Sequence, residues 1–556
     1  MKNSSKQILL WLGALLLLAG ASHAAPAGLD AADNAMALIR PEALRADIRF
    51  LADDLLEGRG TATRGHQLAA KFVAAQFEAM GLEPAGEKGT YFQNVPLRSY
   101  RPDEARTTLA LSRGGKQTNL VFRKDYYSLG DPVRAETDVE APVVYAGFGV
   151  TAPEQSYDDY QGLDVKGKIV AVVLQAPNFE NSLRAHFSAL EVKEAIAVAH
   201  GAIGLIGLAD PVAEHVYSFQ EQVRDLSFPS LRWLDAHQQP NDYFPELRGT
   251  VFLSMDAVEK FFDGSGHTAT EVFAASKAGK PLSFPLNMTA RIHQVTSLED
   301  TQSPNVAASL PGSDPALRQE YVVYTAHVDH LGIGDPVKGD KIYNGALDNA
   351  SGTACLLEIA RAFSRMNPRP RRSILFVAVT GEEAGLLGSD YFARYPTVPK
   401  GSMVANVNID EDLMLWPLQD VIVYGAEHSS LGAVAQQAAG RLHLDISPDP
   451  QPEQVFFIRS DHYSFVKQGI PAIFSEAGVK SSDPSINAKE REAAWEQNIY
   501  HQPQDDMNQP FDFESGAKFA RFNFLCGYLI AQAAERPAWN SGDFFGEHYG
   551  KKKAPQ

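Results

Sequence analysis

The sequence predicts an α/β protein in which helices sandwich a mostly parallel mixed sheet, with a second, β-rich α/β domain inserted into it. Two observations lead to this prediction. From about residue 287 onward, short apolar runs of strand length alternate with longer runs at helical spacing, which is the pattern of a largely parallel sheet. Between residues 101 and 286, strand-like runs are frequent and no cluster of catalytic residue types occurs. We therefore expect the insertion to flank a cleft and the main domain to supply its chemistry.

The main sheet is expected to come from the second half of the chain. Its predicted strands are Tyr321 to Tyr324, Ile374 to Val379, Val404 to Ile409 and Pro471 to Phe474. Its predicted helices are Ala350 to Phe363, one that opens at Leu386 to Tyr391, Leu431 to Leu442, and Phe519 to Ala534. Functional groups of such sheets collect at the carboxyl ends of the strands, so the residues that follow each strand are the first candidates for a site.

The chain before the insertion is expected to pack with the main sheet. Leu44, Ile48 and Leu51 recur at helical spacing after Pro41, and a second apolar helical pattern and a strand follow. Residues 25 to about 40 are expected to form a mobile lead. The predicted boundaries are 25–100 and 287–538 for the two parts of the main domain, 101–286 for the insertion, and 539–556 for a C-terminal tail. The end of this tail, Lys551-Lys552-Lys553 with Pro555, is expected to be solvated.

The first 24 residues have the pattern of a secretory signal peptide. Lys2 and Lys6 precede an apolar run from Ile8 to Leu18, and small residues surround the predicted cleavage site after Ala24. The alternative is an uncleaved membrane anchor, but the run is shorter than the roughly 20 residues that a span needs. We therefore expect an exported protein, periplasmic or secreted, without a stable membrane anchor.

Composition excludes some partners and some metal sites. The net charge of −18 and the pI near 5.3 argue against a nucleic-acid partner, because phosphate binding needs a basic surface. Cys355 and Cys526 are the only cysteines, and both lie in apolar helical patterns typical of buried thiols. A disulfide between them stays possible, because export permits one. Two cysteines cannot complete a zinc–thiolate site, so a metal would need histidine and carboxylate ligands.

Residue types that bind divalent metals follow several of the predicted strands. No single one is convincing, since an isolated histidine or a pair of glutamates is common at such positions. Their joint occurrence at one edge of the sheet is what favours a metal site. The candidates are His327 and Asp329, Asp348, Glu382 and Glu383, Asp410, and, further along the chain, His501.

A site with two metal ions assigns a role to each of these residues. Such hydrolases need a bridging carboxylate, terminal ligands on each side and a base beside the attacking water. In this hypothesis Asp348 bridges, His327 and Asp410 bind one ion, and Glu383 and His501 bind the other. Glu382 would be the general base. Asp329 would accept the second ring N–H of His327 and orient that ring.

Five short motifs stand out in the sequence, and four of them contain candidates named above. The five are Ala326 to Gly332, Gly345 to Gly352, Thr380 to Ser389, Ser460 to Phe465, and Tyr500-His501. These motifs resemble those of metallopeptidase family twenty-eight, which contains bacterial zinc aminopeptidases and is related to glutamate carboxypeptidase II. The segment that ends at Gly58-Arg59-Gly60 also resembles the N-terminal segment of exported bacterial members.

The resemblance implies an aminopeptidase with two zinc ions, peptide substrates and the zinc exopeptidase fold. It implies the same ligands and the same base as the hypothesis above. It adds Tyr500, which resembles a tyrosine that polarises the scissile carbonyl in some relatives. The insertion resembles a protease-associated domain. The oligomeric state is not implied.

Some assignments stay open at the level of sequence. Glu411 and Asp412 follow Asp410 where the family usually has an apolar residue, so Asp412 competes with Asp410 as a ligand. Asp410 is preferred because it ends the apolar strand. No ligand role is assigned to His330, His428, His443 or His462, although His462 with Ser460 and Asp461 could line a substrate pocket.

Other functions share this fold. A carboxypeptidase or dipeptidase would need an arginine or lysine for the substrate carboxylate. An aminoacyl cyclase would use fewer metal ions. A noncatalytic binding protein would have lost ligands, and all five proposed ligands are present.

Overall fold

A computed structural model describes residues 27–550 of the chain, without the side chains of residues 27–30. The predicted signal peptide, the predicted cleavage site and residues 551–556 lie outside the described part. The α/β class is confirmed: helices cover both faces of a sheet whose central strands are parallel. Within residues 27–550, no helix is both long and apolar enough to cross a bilayer.

The strands are numbered in chain order. The first twelve are β1 Glu83–Pro84, β2 Phe92–Pro102, β3 Thr108–Arg113, β4 Lys116–Leu120, β5 Tyr126–Tyr127, β6 Glu136–Ala146, β7 Thr151–Ala152, β8 Tyr157–Asp158, β9 Ile169–Val173, β10 Gly204–Leu208, β11 Ser230–Trp233 and β12 Thr250–Leu253. The others are β13 Ser283–Leu310, β14 Tyr321–His327, β15 Gly332–Val337, β16 Asp340–Tyr343, β17 Ser373–Val379, β18 Met403–Ile409, β19 Asp420–Tyr424, β20 Asp445–Ser447 and β21 Ala472–Ala477.

The α-helices are numbered in the same way. The first nine are α1 Ala27–Met36, α2 Pro41–Leu51, α3 Arg64–Ala79, α4 Asn181–Ser188, α5 Leu190–Ala199, α6 Pro211–Val216, α7 Phe219–Asp225, α8 Met255–Phe262 and α9 Ala269–Lys277. The others are α10 Gly352–Ser364, α11 Leu387–Arg394, α12 Leu431–Arg441, α13 His462–Val466, α14 Ala488–Asn498, α15 Phe513–Gln532 and α16 Phe544–His548.

The main sheet has the order β11-β2-β13-β17-β14-β18-β21-β19-β20. Its centre is parallel, with β17, β14, β18 and β21 side by side, while β13 and β19 pair antiparallel on the two sides. In this register Thr325 lies opposite both Val377 and Asn408. The carboxyl ends of the four parallel strands therefore meet at one edge.

Alternation along the strands explains why helices cover both faces. Val322 and Tyr324 of β14 belong to an apolar core that includes α2, α3, α10 and α15. Val323, between them, points into the opposite core with Phe392 of α11 and Phe465 of α13. Successive side chains of a strand face opposite sides of the sheet, so apolar residues at every position require a helix layer on each side.

A second sheet lies within the predicted insertion. Its order is β4-β3-β13-β6-β9-β10-β12-β5, and it encloses its own apolar core. Strand β13 is shared, because its first part pairs with β6 and β3 and its last part pairs with β2 and β17. The boundaries given above for the domains stay a prediction.

Two segments are more ordered than the sequence suggested. The expected mobile lead contains α1, whose Ala32, Ala35 and Met36 are buried against the core. Its small alanine-rich face gives a weak apolar periodicity, which explains why the helix was not predicted. The expected C-terminal tail contains α16, where Phe545 is fully buried and packs on Phe457. Its aromatic residues complete the core beside α13, and the end that was expected to be solvated, residues 551–555, lies outside the described residues.

The two cysteines are not linked. Cys355 in α10 and Cys526 in α15 are both fully buried free thiols. This agrees with the interpretation of both as small core residues.

Candidate metal centre

The carboxyl edge of the parallel strands collects the predicted ligands. His327 is the last residue of β14 and lies opposite Val379, the last residue of β17. Asp410 directly follows β18, and Glu383 lies four residues beyond β17. Because neighbouring parallel strands end together, their following residues are brought to one place, as the spacing predicted.

The first half of the cluster joins His327, Asp410 and Asp348. His327 Nε2 lies 2.9 Å from Asp410 Oδ1 and 3.3 Å from Asp348 Oδ1. His327 is almost completely buried. Burial opposes protonation of this ring, but the nearby carboxylates of Asp410 and Glu382 raise the pKa of His327 well above its ordinary value. The ring therefore lies in a strongly negative field that attracts a cation.

The second half joins His501, Glu383 and the other oxygen of Asp348. His501 Nε2 lies 3.2 Å from Asp348 Oδ2 and 3.1 Å from Glu383 Oε2. Ligand atoms of His327, Asp348 and Glu383 all lie within 4.8 Å of one another. The two oxygens of Asp348 thus face two different histidines. This donor set of imidazole nitrogen and carboxylate oxygen fits zinc, and Asp348 has the position of a bridging ligand.

The loop that carries Asp348 is held by residues far away in the sequence. It has a cis peptide bond between Asp348 and Asn349. The carboxylate of Asp505 accepts hydrogen bonds from the backbone N–H groups of Leu347 (2.9 Å) and Asp348 (3.0 Å). Sequence reasoning missed Asp505, and its position four residues after His501 was the available signal.

Arg59 supports the same loop from the other side. Its fully buried guanidinium donates hydrogen bonds to the carbonyl oxygens of Val328 (2.9 Å), Gly345 (2.9 Å), Asn344 and Leu51. In the sequence, the segment that contains Arg59 is singled out only because it resembles the N-terminal segment of exported bacterial members of the family. In the structure this single side chain joins the N-terminal helices to both ligand loops.

Glu382 lies beside the cluster and lines a cavity. Its backbone N–H donates to Asp329 Oδ1 at 3.3 Å. Its carboxylate has no hydrogen-bond partner among the described residues. Burial, followed by the charges of Asp410 and Glu383, raises the pKa of Glu382 well above its ordinary value, although His327 opposes this. A carboxylate in this state is a suitable proton acceptor.

Asp329 contacts the ring of His327 through its backbone. His327 Nδ1 lies 3.2 Å from the carbonyl oxygen of Asp329 and 4.0 Å from its carboxylate. The carboxylate instead accepts hydrogen bonds from Thr61 Oγ1 (2.8 Å) and from the backbone N–H of Glu382. Asp329 is therefore positioned to orient both His327 and Glu382.

The geometry separates Asp410 from Asp412. Asp410 Oδ1 faces His327, and Asp410 Oδ2 accepts a hydrogen bond from Ser460. Asp412 points into the core, where Cys355 Sγ lies 3.6 Å from its carboxylate. Burial raises the pKa of Asp412 to about 8. Of these two carboxylates, the one that faces the cluster is therefore that of Asp410.

His330 lies closer to the cluster than the sequence suggested. Its Nδ1 lies 2.5 Å from Glu383 Oε1 and 3.7 Å from Asp348 Oδ2. The sequence assigned it no role, although it follows His327 by three residues. His462 is fully buried against the rings of Phe457 and Phe474, away from the cavity.

Tyr500 stacks on the ligand that follows it. The ring centroids of Tyr500 and His501 are 3.9 Å apart. The phenol oxygen accepts a hydrogen bond from Arg459 Nη2 at 3.0 Å. This contact leaves the phenol proton free to be donated to another group in the cavity, which Tyr500 lines.

A cavity of about 600 Å³ opens over the cluster. One wall comes from the predicted insertion, and Tyr217 places its ring edge-on to His501 at 6.4 Å. The lining residues of this wall include Tyr217, Asp225, Phe228 and Arg232. Residues of the predicted insertion thus line the cavity.

Known proteins share parts of this sequence. The model of peptidase family M28 matches residues 305–523. Aminopeptidase NAALADL1 of Rattus norvegicus is 32% identical over 372 residues, which cover 59% of this chain and 44% of that protein. A probable zinc metalloprotease of Pyrenophora teres f. teres is 35% identical over 127 residues, or 23% of each protein. The chain thus spans less than half the length of these curated relatives.

A solved structure has the same fold over most of the chain. An aminopeptidase from Aneurinibacillus sp. strain AM-1 superposes with a TM-score of 0.52 at 18% identity, covering 89% of this chain and 95% of that one. The family match includes all five predicted ligands, the predicted base and the strands that carry them. The resemblance seen in the motifs is confirmed: residues 305–523 of this chain form a domain of peptidase family M28.

Proposed function

We propose that this protein is a zinc aminopeptidase that binds two metal ions and releases N-terminal amino acids from peptides. One observation supports the proposal above all: the two oxygens of Asp348 lie 3.3 and 3.2 Å from the Nε2 atoms of His327 and His501. Asp410 and Glu383 complete a ligand pair on each side. The names of the relatives point to the same activity.

Each residue then has a defined task. Zinc ions bound by the five ligands would polarise the scissile carbonyl and acidify a water molecule. Glu382 takes the proton from that water and passes it to the leaving amine. Asp329 holds His327 and the backbone of Glu382 in place. Tyr500, whose oxygen accepts a hydrogen bond from Arg459, donates a hydrogen bond from its O–H to the carbonyl oxygen of the substrate.

The closed side of the cavity supports an exopeptidase. Residues of the predicted insertion form a wall over the cluster, so that a short end of a peptide fits better than the middle of a long chain. Export fits this role, since the predicted signal peptide would deliver the enzyme to peptides outside the cytoplasm.

A carboxypeptidase or dipeptidase is the second candidate, and Arg232 favours it. This side chain lines the cavity. Its Nη1 atom lies close to Gly385, since a Cβ atom added to that glycine would be 4.0 Å away. Within residues 27–550 its guanidinium makes no hydrogen bond or ion pair, so it is available for a substrate carboxylate.

The test combines metal content, turnover and blocked substrates. The purified protein should hold two zinc ions per chain by elemental analysis and should hydrolyse leucinamide. The Glu382→Gln variant should keep both ions and lose at least about a thousandfold in kcat. An N-blocked dipeptide should resist hydrolysis and a C-blocked one should not. Unchanged turnover in Glu382→Gln, with both ions bound, would refute the proposed mechanism. Cleavage of only the N-blocked dipeptide would favour the carboxypeptidase.

A further inference from the structure

Two glutamates in the cavity have no part in metal binding. Glu411 follows the ligand Asp410, and Glu476 belongs to the neighbouring strand β21. Both line the cavity over the metal cluster. In the parallel pairing of β18 with β21, Ile409 lies opposite Ser475, so the next residues, Asp410 and Glu476, lie side by side, with Glu476 still paired to Ile422 of β19. The register therefore brings a second carboxylate to the same edge.

Glu476 is buried but incompletely bonded. It is only 7% exposed. One carboxylate oxygen accepts a hydrogen bond from Tyr424 at 3.3 Å. The other has no partner among the described residues and is not sealed from solvent, so it faces the cavity. Burying a carboxylate costs free energy unless a partner compensates for it, so this oxygen is poised for a donor that arrives with the substrate.

Glu411 is held in an unusual backbone conformation. Its φ is +44°, in the left-handed region that residues other than glycine rarely adopt. Its carboxylate makes no hydrogen bond or ion pair within residues 27–550. Strained backbone of this kind persists where the surrounding structure enforces it, and it is frequent at functional sites. Here it accompanies a free carboxylate that lines the cavity beside the cluster.

One cation, Arg459, acts electrostatically on both glutamates. Its guanidinium donates hydrogen bonds to the phenol oxygen of Tyr500 and the side-chain oxygen of Gln454, each at 3.0 Å. It forms no ion pair with Glu411 or Glu476. Further acidic residues act electrostatically on Glu476, among them Glu492 and Asp449. The part of the cavity around Glu411 and Glu476 therefore carries more negative than positive charge.

We infer that Glu411 and Glu476 form a subsite for a positively charged group of the substrate's N-terminal residue. This inference rests on the proposed aminopeptidase function and names its substrate class. The charged group is the ammonium or guanidinium of a lysine or arginine side chain. Charge-assisted hydrogen bonds from such a group would satisfy the free oxygen of Glu476 and the carboxylate of Glu411.

The experiment measures binding, so that it does not depend on turnover. Calorimetric titrations of the full chain with lysinamide, norleucinamide and hexanamide compare ligands of similar shape with two, one or no charges. All proteins carry Glu382→Gln, which stops hydrolysis of the amides, and are otherwise wild type, Glu411→Gln, Glu476→Gln or, as a control, Glu490→Gln, an exposed glutamate on α14. Thermal unfolding of each variant reports whether it is folded.

The outcomes separate the sources of the charge. For a side-chain subsite, wild type binds lysinamide at least about tenfold more tightly than norleucinamide, and Glu411→Gln and Glu476→Gln remove that preference. If both variants weaken both amines about tenfold and leave hexanamide unchanged, the two carboxylates bind the α-ammonium instead, and the side-chain subsite is overturned. Glu490→Gln matches wild type in both cases. Wild-type affinities for both amines in the folded Glu411→Gln and Glu476→Gln variants would overturn the inference.

A hydrolysis assay distinguishes a failure of this inference from a failure of the proposed aminopeptidase function. The zinc-loaded wild-type protein is assayed with lysyl- and norleucyl-4-nitroanilide. If it cleaves neither, the aminopeptidase proposal fails, while the binding preference still decides whether the subsite exists.

Discussion

Asp505 holds the backbone of Asp348 in place: its carboxylate accepts the N–H of Asp348 at 3.0 Å, together with that of Leu347. The two residues lie far apart in the sequence, but Asp505 follows the ligand His501 by four residues. The contact therefore links the segment that supplies one ligand to the loop that supplies the proposed bridging ligand. Partners that orient metal ligands commonly contribute strongly to affinity.

Replacing Asp505 should weaken metal binding without removing a ligand. In Asp505→Asn, one of the two acceptor atoms becomes a donor, and the loop of Asp348 loses a hydrogen bond. We expect zinc affinity to fall by about 10- to 100-fold, measured by competition with a chelator. Asp506→Asn is the matched control, because the Asp506 carboxylate bonds only to Asn508. Equal zinc affinities in the two variants would contradict the role given to Asp505.

Arg59 should be essential for stability. Four backbone carbonyl oxygens share its guanidinium, and a lysine at this position could reach only part of them. Arg59→Lys should lower the free energy of unfolding by about 3 kcal/mol or more, since buried carbonyl groups lose their donors. Thermal unfolding measures the change. Arg64→Lys, an exposed neighbour, should shift the melting temperature little, and a similarly small shift in Arg59→Lys would show that the network is dispensable.

Asp410 and Asp412 offer a direct test of the ligand assignment. Asp410→Asn should lose zinc, because its carboxylate faces His327. Asp412→Asn should keep it. Burial raises the pKa of Asp412 to about 8, so its side chain is mostly neutral at pH 7 and an amide of the same shape replaces it at little cost. Zinc content by elemental analysis decides, and the reverse pattern would exchange the two assignments.

The part of the site that could be predicted depends on strand geometry. His327 and Asp410 follow apolar strands of a parallel sheet, and such strands end together, so their meeting was expected. Asp505, Arg59 and His330 act through loop backbone or through a neighbouring ligand. No periodicity in the sequence records which distant loop a side chain reaches, so their contacts could be seen only in three dimensions.

The fold shows the same limit. Long apolar strands and helices were predicted close to their observed positions, because burial on both faces leaves a continuous apolar run. The helices α1 and α16 were missed. The first buries small residues that give little amphipathic contrast, and the second has only five residues and depends on contacts of Phe545 with distant rings.

His428 should make stability depend on pH. Its Nδ1 lies 2.6 Å from Asp543 and its Nε2 lies 3.2 Å from Glu427. Burial opposes protonation, but these two carboxylates raise the pKa of His428 to about 9. The unfolded chain would bind this proton with a pKa near 6.5. The contribution to folding is therefore complete below pH 6.5 and is lost as the pH rises through 9.

The shift corresponds to about 3 kcal/mol when the contribution is complete. We expect His428→Gln to lower the melting temperature at pH 6 and to differ much less from wild type at pH 10. Thermal unfolding at both pH values, with the exposed His237→Gln as control, measures the difference. His428, Glu427 and Asp543 are not among the residues that line the cavity over the cluster, so zinc content should be unchanged. A difference between His428→Gln and wild type that is the same at both pH values would show that the ring acts by packing and that its charge contributes nothing.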